Sequence, residues 1–429
     1  MKLTDRCQAL AAIAFLMIAT FMLALFTLAS PAQAQIQPSF FGMGAVDSAD
    51  MPKVSYGILS HPPLAWTAIE GTMRGVYDFT STDQFVNAAP QDSNGVAQVD
   101  IVFGWTPGWA VASHTHCLTQ NSGDIICTVP PDNIDDWTNF ITQVAGHYNG
   151  IQAPQVAYYE IWNEANTPSF WTSSVTELIA MAKIAYPILK QNTYSQVLTP
   201  SVAWYPGGTT FMGKYLAGGG SKLADGVSFH GYPSKTGKGI KLPVQLPESP
   251  TSTNAAIQTM VGDYRTVANA NGMSSKPLMT TEGGWGVDGV SDPDMQAAWF
   301  TQYVILQAGV AATDNLVFQT WYTWGHASSG TIETPQGQPT EAGLAYDVVA
   351  KWLVGTTPSP CKNSGNIWSC AVGKNLIVWD ASQTCSKGVC TTSLYTPPNG
   401  FVEYIDLTGT EHAVSGTIAL GVKPILMEP

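Results

Sequence analysis

The sequence predicts a closed (β/α)8 barrel followed by a small antiparallel β-sandwich, and three observations predict it. Eight apolar, strand-like runs recur between Phe40 and Trp321, most of them separated by segments of helical period. Two of these runs, 118 residues apart, end in a glutamate, Glu164 and Glu282. Beyond Gly355 the helical period disappears, and short runs broken by Gly, Pro, Asn and Ser take over. The chain of 429 residues accommodates one large domain and one small one, placed here at 35–355 and 356–429.

In chain order, the first 34 residues stand apart. Lys2 and Arg6 precede an apolar stretch from about Ala9 to Ala29, and Ala32-Gln33-Ala34 offers a small-x-small cleavage site. This pattern predicts a secretory signal over 1–34, hence a secreted or periplasmic protein; an uncleaved membrane anchor is the alternative. Its removal leaves 16 basic and 30 acidic residues, a net charge of −14. Such a surface repels nucleic acid and anionic lipid, which excludes both as expected partners. Charged residues are only 11 % of the chain, while Gly, Pro and aromatics are plentiful, which suits a loop-rich globular protein.

The predicted strands are Phe40–Ala45, Val54–Leu59, Val99–Gly104, Val156–Trp162, Gln196–Ser201, Gly226–His230, Leu278–Glu282 and Leu316–Trp321. Helical segments are expected at Ser81–Ala88, Asn133–Tyr148, Val175–Gln191, Ala255–Ala270, Pro293–Ala308 and Glu341–Leu353. Asp132 and Asp292 occupy N-cap positions, and Gly150 and Gly272 occupy helix stops. After the barrel, strands are expected at Ile367–Val372, Leu376–Ala381, Thr392–Thr396, Phe401–Leu407 and His412–Ile418. A structural role suits this region better than a catalytic one, with sugar binding as the alternative.

Six cysteines follow the signal, an even number that in an exported protein argues for disulfides. Proximity suggests Cys117–Cys127, Cys361–Cys370 and Cys385–Cys390, although six cysteines allow 15 pairings. His114-Thr115-His116-Cys117 with Cys127 raises a zinc alternative, but the spacing matches no standard ligand pattern. No metal and no cofactor is expected, and the absence of a His/Asp cluster with metal-ligand spacing disfavours a metallohydrolase.

Function is concentrated at the two glutamates. Tyr158-Tyr159-Glu160-Ile161-Trp162-Asn163-Glu164 is an aromatic, apolar run that ends in an amide and a carboxylate. Leu278-Met279-Thr280-Thr281-Glu282-Gly283-Gly284 repeats that design, with glycines that let the chain turn and a ligand approach. A charge at the exit of a buried strand is costly unless chemistry uses it, and 18 Lys and Arg in 429 residues offer few structural partners. In a barrel both glutamates project into one mouth, with Trp105, His230, Tyr232 and Trp321 around them. Aromatic faces beside paired carboxylates suit a sugar ring.

Ile161-Trp162-Asn163-Glu164, Phe229-His230-Gly231-Tyr232 and Thr281-Glu282-Gly283, in that order, resemble the retaining glycoside hydrolases of clan A. The resemblance is nearest to family 39-like members, with family 5 next, and runs from about Phe40 to the C-terminus. It implies double displacement through a glycosyl-enzyme, with a carbohydrate as the substrate and partner. It implies Glu164 as acid/base and Glu282 as nucleophile, with Asn163 holding the sugar 2-hydroxyl. His230 and Tyr232 then flank the nucleophile, and Trp321 and Trp105 contact substrate. Relatives usually carry an Arg near the end of the second strand, whereas Tyr56-Gly57-Ile58-Leu59-Ser60-His61 has none. Many also carry a His after the Met of the first strand, where Phe41-Gly42-Met43-Gly44 has Gly.

Each residue has a plainer reading. Trp105, Trp109, Trp162 and Trp321 are also credible packing residues, and Trp162 is expected inside. His230 reads equally as a satisfied structural histidine. Lys235, Lys238 and Lys241 form either a solvated loop or a contact for an acidic glycan. Two function classes follow, a retaining glycosidase and a non-hydrolytic sugar-binding barrel. Retention requires the two carboxyls about 5–5.5 Å apart.

Overall fold

The computed structural model describes residues 35–429 except 46–48, 61–64, 72, 121–122, 204–206, 233–235, 238–239, 242–246, 248–256, 286–289 and 326–331. The expected signal over 1–34, His61, Lys235 and Lys238 lie outside the described residues. Among the described residues no helix is long and apolar enough to cross a membrane.

Eight parallel strands form the barrel: β1 (Phe41–Ala45), β2 (Ile58–Ser60), β3 (Ala97–Val102), β4 (Val156–Glu160), β5 (Gln196–Leu198), β6 (Val227–His230), β7 (Leu278–Glu282) and β8 (Leu316–Trp324). Their order in the sheet is β5-β4-β3-β2-β1-β8-β7-β6. Parallel bridges Leu198↔Gly226 and Ala203↔His230 join the two ends and close the ring. The outward faces of the strands meet a shell of helices: α1 (Ala65–Ile69), α2 (Thr80–Ala88), α3 (Ile134–His147), α4 (Val175–Leu189), α5 (Gly208–Ala217), α6 (Ile257–Ala270), α7 (Pro293–Asp314) and α8 (Glu341–Leu353). Phe229 of β6, for example, stacks on Tyr264 of α6 with ring centroids 4.1 Å apart.

Most expected elements are present, with instructive shifts. β2 starts at Ile58 rather than Val54, because Gly57 is wedged against Pro38: an added Cβ would lie 2.2 Å from its carbonyl oxygen. The N-cap of α3 is Asn133, whose side chain accepts from Asp135 N–H, while Asp132 accepts instead from Ala112 N–H. Asp292 does cap α7. Helix α5 escaped the sequence reading because glycines crowd both its ends, yet Met212, Tyr215 and Leu216 bury its inner face. Helix α7 runs six residues past its expected end and is buried on nearly every side, so it has no polar face to announce it.

The reason for that burial is the C-terminal region. Its main sheet has six antiparallel strands in the order Lys362–Ser364, Ile367–Val372, Asn375–Asp380, Ile425–Glu428, Glu403–Ile405 and Glu411–Ala413. Alternation gives this sheet two apolar faces. Ile377, Trp379 and Leu426 join the barrel's own core, whereas Val378, Ile425 and Met427 form a second core with Ile418 and Leu420. Gln302 of α7 donates to the Val422 carbonyl, and Lys423 pairs with Asp294 of α7 and Glu341 of α8. Ile36–Pro429 is accordingly one compact unit. All three disulfides form with the proximity pairing, Cys117–Cys127, Cys361–Cys370 and Cys385–Cys390. The sulfurs of the zinc alternative are thereby bonded to each other.

Candidate active site

Glu164, four residues past β4, and Glu282, the last residue of β7, meet on a single imidazole. His230 is the last residue of β6 and fully buried; its backbone N–H donates to the Val202 carbonyl at 3.0 Å, which fixes the strand end. Its Nδ1 lies 2.9 Å from Glu164 Oε1 and 3.2 Å from Glu282 Oε2. One carboxylate oxygen from each glutamate and the imidazole nitrogen all lie within 4.8 Å of one another. Tyr232, two residues beyond β6, donates its hydroxyl to Glu282 Oε2 at 2.8 Å.

Each carboxyl is aimed by a local break in strand regularity. Glu164 follows β4 by four residues and has φ 36°, a left-handed conformation that costs a non-glycine residue of order 1–3 kcal/mol. The chain beyond β5 holds it there: Glu164 N–H donates to Ser201 Oγ, and Ala165 N–H donates to the Ser201 carbonyl. Asn166 and Ala203 exchange two further bonds of 2.9 Å each. Glu282 closes β7, where the register with β6 slips between Thr280 and Glu282. An irregularity of this kind re-aims a side chain, and here it turns the glutamate toward His230. Gly283 is obligatory for a reason other than ligand approach: an added Cβ would meet the Tyr303 hydroxyl at 1.9 Å.

Charge and burial oppose each other in this cluster. Burial pushes the Glu282 carboxyl up, to about 7; the His230 charge works against that shift and the Glu164 charge adds to it. Burial by itself lowers His230, but the charges of Glu282 and Glu164 outweigh it and raise the imidazole to about 9. The two shifts are mutually consistent between those values, where an imidazolium bridges the acidic pair. Beneath them Asp100 and Glu160 are fully buried and both pushed up, first by burial.

The remaining expected residues divide. Asn163 is buried beside Glu164, and its side-chain carbonyl has no hydrogen-bond partner in the described structure. Trp105, after β3, also has a positive φ (43°); it stacks on Phe170 and donates to the Ser169 carbonyl. Trp162 is inside, as expected, edge-on to Trp171. Trp321 is not brought to the mouth. β8 continues to Trp324, and alternation turns Trp321 outward onto Phe300 and Tyr303 of α7, with no exposed surface. Tyr322 takes the inward position, and after burial the charges of Glu282 and Glu164 help push its hydroxyl up to about 12. Counting inward positions from Phe318 by twos would have found it.

Among the described residues, two groups of ligand-type atoms are close enough to bracket a cation. One is Glu164, His230 and Glu282; the other, Asp294 with Cys385 and Cys390, has both sulfurs in a disulfide.

No protein-family profile matches the chain. A β-xylosidase of Geobacillus stearothermophilus is 31 % identical over 108 residues, 24 % of this chain and only 20 % of that relative's length. Solved structures agree much more broadly. A family 39 glycoside hydrolase from Bacteroides cellulosilyticus WH2 superposes with a TM-score of 0.65 at 17 % identity, covering 91 % of this chain and 81 % of that one. A family 39 enzyme from Xanthomonas axonopodis pv. citri gives 0.61 at 16 % identity, covering 92 % and 96 %. A monomeric β-xylosidase from Caulobacter crescentus CB15 gives 0.59 at 15 % identity, covering 92 % and 97 %. The chain has the fold of the family 39 glycoside hydrolases.

Proposed function

We propose that this chain is an exported retaining glycoside hydrolase, with Glu164 as acid/base and Glu282 as nucleophile. One observation carries the reading: two strand-end carboxyls present oxygens within 4.8 Å of each other across a shared imidazole. That proximity supports the retaining arrangement, in which the two carboxyls lie about 5–5.5 Å apart, over the wider spacing of an inverting site. In the first step Glu164 gives its proton to the leaving oxygen while a Glu282 oxygen bonds to the anomeric carbon. In the second, the Glu164 carboxylate takes a proton from water as that water displaces Glu282.

Surrounding groups have assignable tasks. The Tyr232 hydroxyl bond and the His230 charge favour ionised Glu282 against its burial. The Asn163 side-chain carbonyl, without a partner among the described residues, suits the sugar 2-hydroxyl, and Tyr322 and Trp105 supply aromatic walls, with Trp321 backing the barrel wall from outside. The barrel over 35–355 carries the chemistry, and 356–429 buttresses α7 and α8. Three disulfides agree with export.

A non-hydrolytic sugar-binding barrel is the second reading, favoured by the lack of an arginine in Tyr56-Gly57-Ile58-Leu59-Ser60-His61, near the end of the second strand. Hydrolysis of an aryl glycoside panel decides between them, beginning with β-xylosides because two of the matched proteins are β-xylosidases. We expect turnover by the wild type and none by Glu282→Ala. Glu164→Ala should spare the first step on substrates with very good leaving groups, and azide should restore its turnover as a glycosyl azide of retained configuration. Rescue of Glu282→Ala with retention, and none of Glu164→Ala, would reverse the two roles.

A further inference from the structure

Below the mouth, the barrel interior holds more acid than the proposed reaction uses. Asp100 on β3 and Glu160 on β4 are both fully buried, and among the described residues no hydrogen bond of normal geometry reaches any of their four carboxyl oxygens. Hydroxyls of Ser201, Ser228 and Thr281 nonetheless surround Glu160. Ser228 lies two residues before His230 on the same inward strand face, so Glu160 sits one layer beneath the imidazole. Among the described residues the buried basic groups are His230 and Arg265, and Arg265 donates to four carbonyls around the end of α6, outside the barrel. His230 is therefore the cation available to four interior carboxyls. Its second ring nitrogen, Nε2, is buried with no hydrogen-bond partner among the described residues.

Buried carboxyls without a cation neutralise, and one that faces a cation ionises and stabilises it in turn. Both face His230, but Asp100 also faces the Glu160 charge, which pushes it further toward the neutral form. We propose that Glu160 is a positioning residue: its carboxylate, beneath His230, keeps the imidazole charged and its Nδ1–H turned to the Glu164–Glu282 pair. Asp100 stays protonated behind it. His230, kept charged in this way, places a positive charge beside Glu282 where the end of the second strand offers no arginine. This inference rests on the hydrolase reading for its catalytic consequence, but not for its electrostatic one.

Among the described residues the groups facing His230 are Glu160 and Glu164 from β4 and the loop after it, Glu282 from β7, Tyr232 beyond β6 and Asp100 from β3, with Tyr322 of β8 beside the two glutamates and Tyr232. Removing the Glu160 charge leaves the others in place and lowers the proton affinity of His230. The test follows the His230 imidazole by NMR titration of the full chain, assigned by the signal missing from His230→Asn. In Glu160→Gln the midpoint should fall by ~1 pH unit or more, in Glu160→Asp by less, and in Asp100→Asn hardly at all. The acidic limb of kcat/KM should move down in Glu160→Gln, because His230 is still charged at the Glu282 midpoint while the Glu160 charge that raises Glu282 is gone. An unchanged His230 midpoint in folded Glu160→Gln overturns the proposal. Should that variant fail to fold, a Glu160→Asp midpoint equal to wild type overturns it. A wild type that hydrolyses no glycoside sinks the hydrolase reading alone, since the titration still decides this one.

Discussion

The inside of the barrel is built as two layers of opposite chemistry. Ile58 of β2, Leu198 of β5, Met279 of β7 and Phe318 of β8 form an apolar plug, with Tyr158 of β4 tilted against Phe318 at 5.1 Å. Gly226 makes room for it, since an added Cβ would lie 2.7 Å from the Met279 methyl. Two residues further along the same strands, the inward face carries Ser60, Glu160, Thr281 and Thr320, all buried. Inward positions recur every second residue, so one step along each strand separates sealing from chemistry. The plug gains stability from burial, whereas the layer above gives stability up to hold charge. Substitutions in the two layers should therefore fail in different ways.

The largest effect belongs to the mouth that the upper layer supports. Glu164→Ala should lose about 10²–10⁴-fold in kcat on substrates with poor leaving groups, with no loss in thermal midpoint. A fall of Tm together with activity would mean that the carboxyl also holds the mouth together. In the plug, Phe318→Ala should cost about 3–5 kcal/mol of unfolding free energy by chemical denaturation. Its kcat should stay near wild type wherever the protein is folded. A kcat loss in fully folded Phe318→Ala would show that the layers are coupled.

Acidity sharpens the comparison. Glu282 and His230 both have folded affinities raised above their ordinary values, to about 7 and about 9. Groups raised on folding contribute stability that is complete below the unfolded value and is lost as pH rises through the folded one. Glu282 therefore contributes fully below about pH 4.5, and that contribution is gone above about 7; for His230 the window is about 6.5 to 9. Stability should decline between pH 5 and 9, by about 3 kcal/mol at most from Glu282. Glu282→Gln should flatten the lower part of that decline. A wild-type Tm that rises from pH 5 to 7 would contradict the assigned burial.

The sequence was most informative where periodicity and chemistry coincide. Glu164, His230 and Glu282 each end an apolar run, and strand ends in a barrel share one rim, so their meeting was readable. What aims them was not: the left-handed φ at Glu164 and the register slip before Glu282 depend on bonds to Ser201 and Gly231, distant in sequence. Glu160 was visible as an acid within an aromatic strand, but its partner His230 lies 70 residues away. Helix α7 was underestimated because contacts with the C-terminal region erase the polar face that marks a helix end. Trp321 was misplaced because β8 outlasts its expected end, and the parity of the added residues moves the mouth position to Tyr322.

That last exchange gives the smallest and most local test. Trp321 touches Phe300, Tyr303 and Trp285 edge-on and has no exposed surface, so its side chain acts through packing. Tyr322 is half-buried on the opposite face of the strand, within the field of both glutamates. Trp321→Phe should lower Tm through lost contact while leaving KM within about twofold. Tyr322→Ala removes an aromatic wall, worth about 1–1.5 kcal/mol in sugar contact, and should raise KM about tenfold with little change in Tm. Steady-state kinetics and thermal unfolding on the two variants are sufficient. If Trp321→Phe carries the KM effect and Tyr322→Ala only the Tm effect, the parity argument fails and the wall lies on the other face of β8.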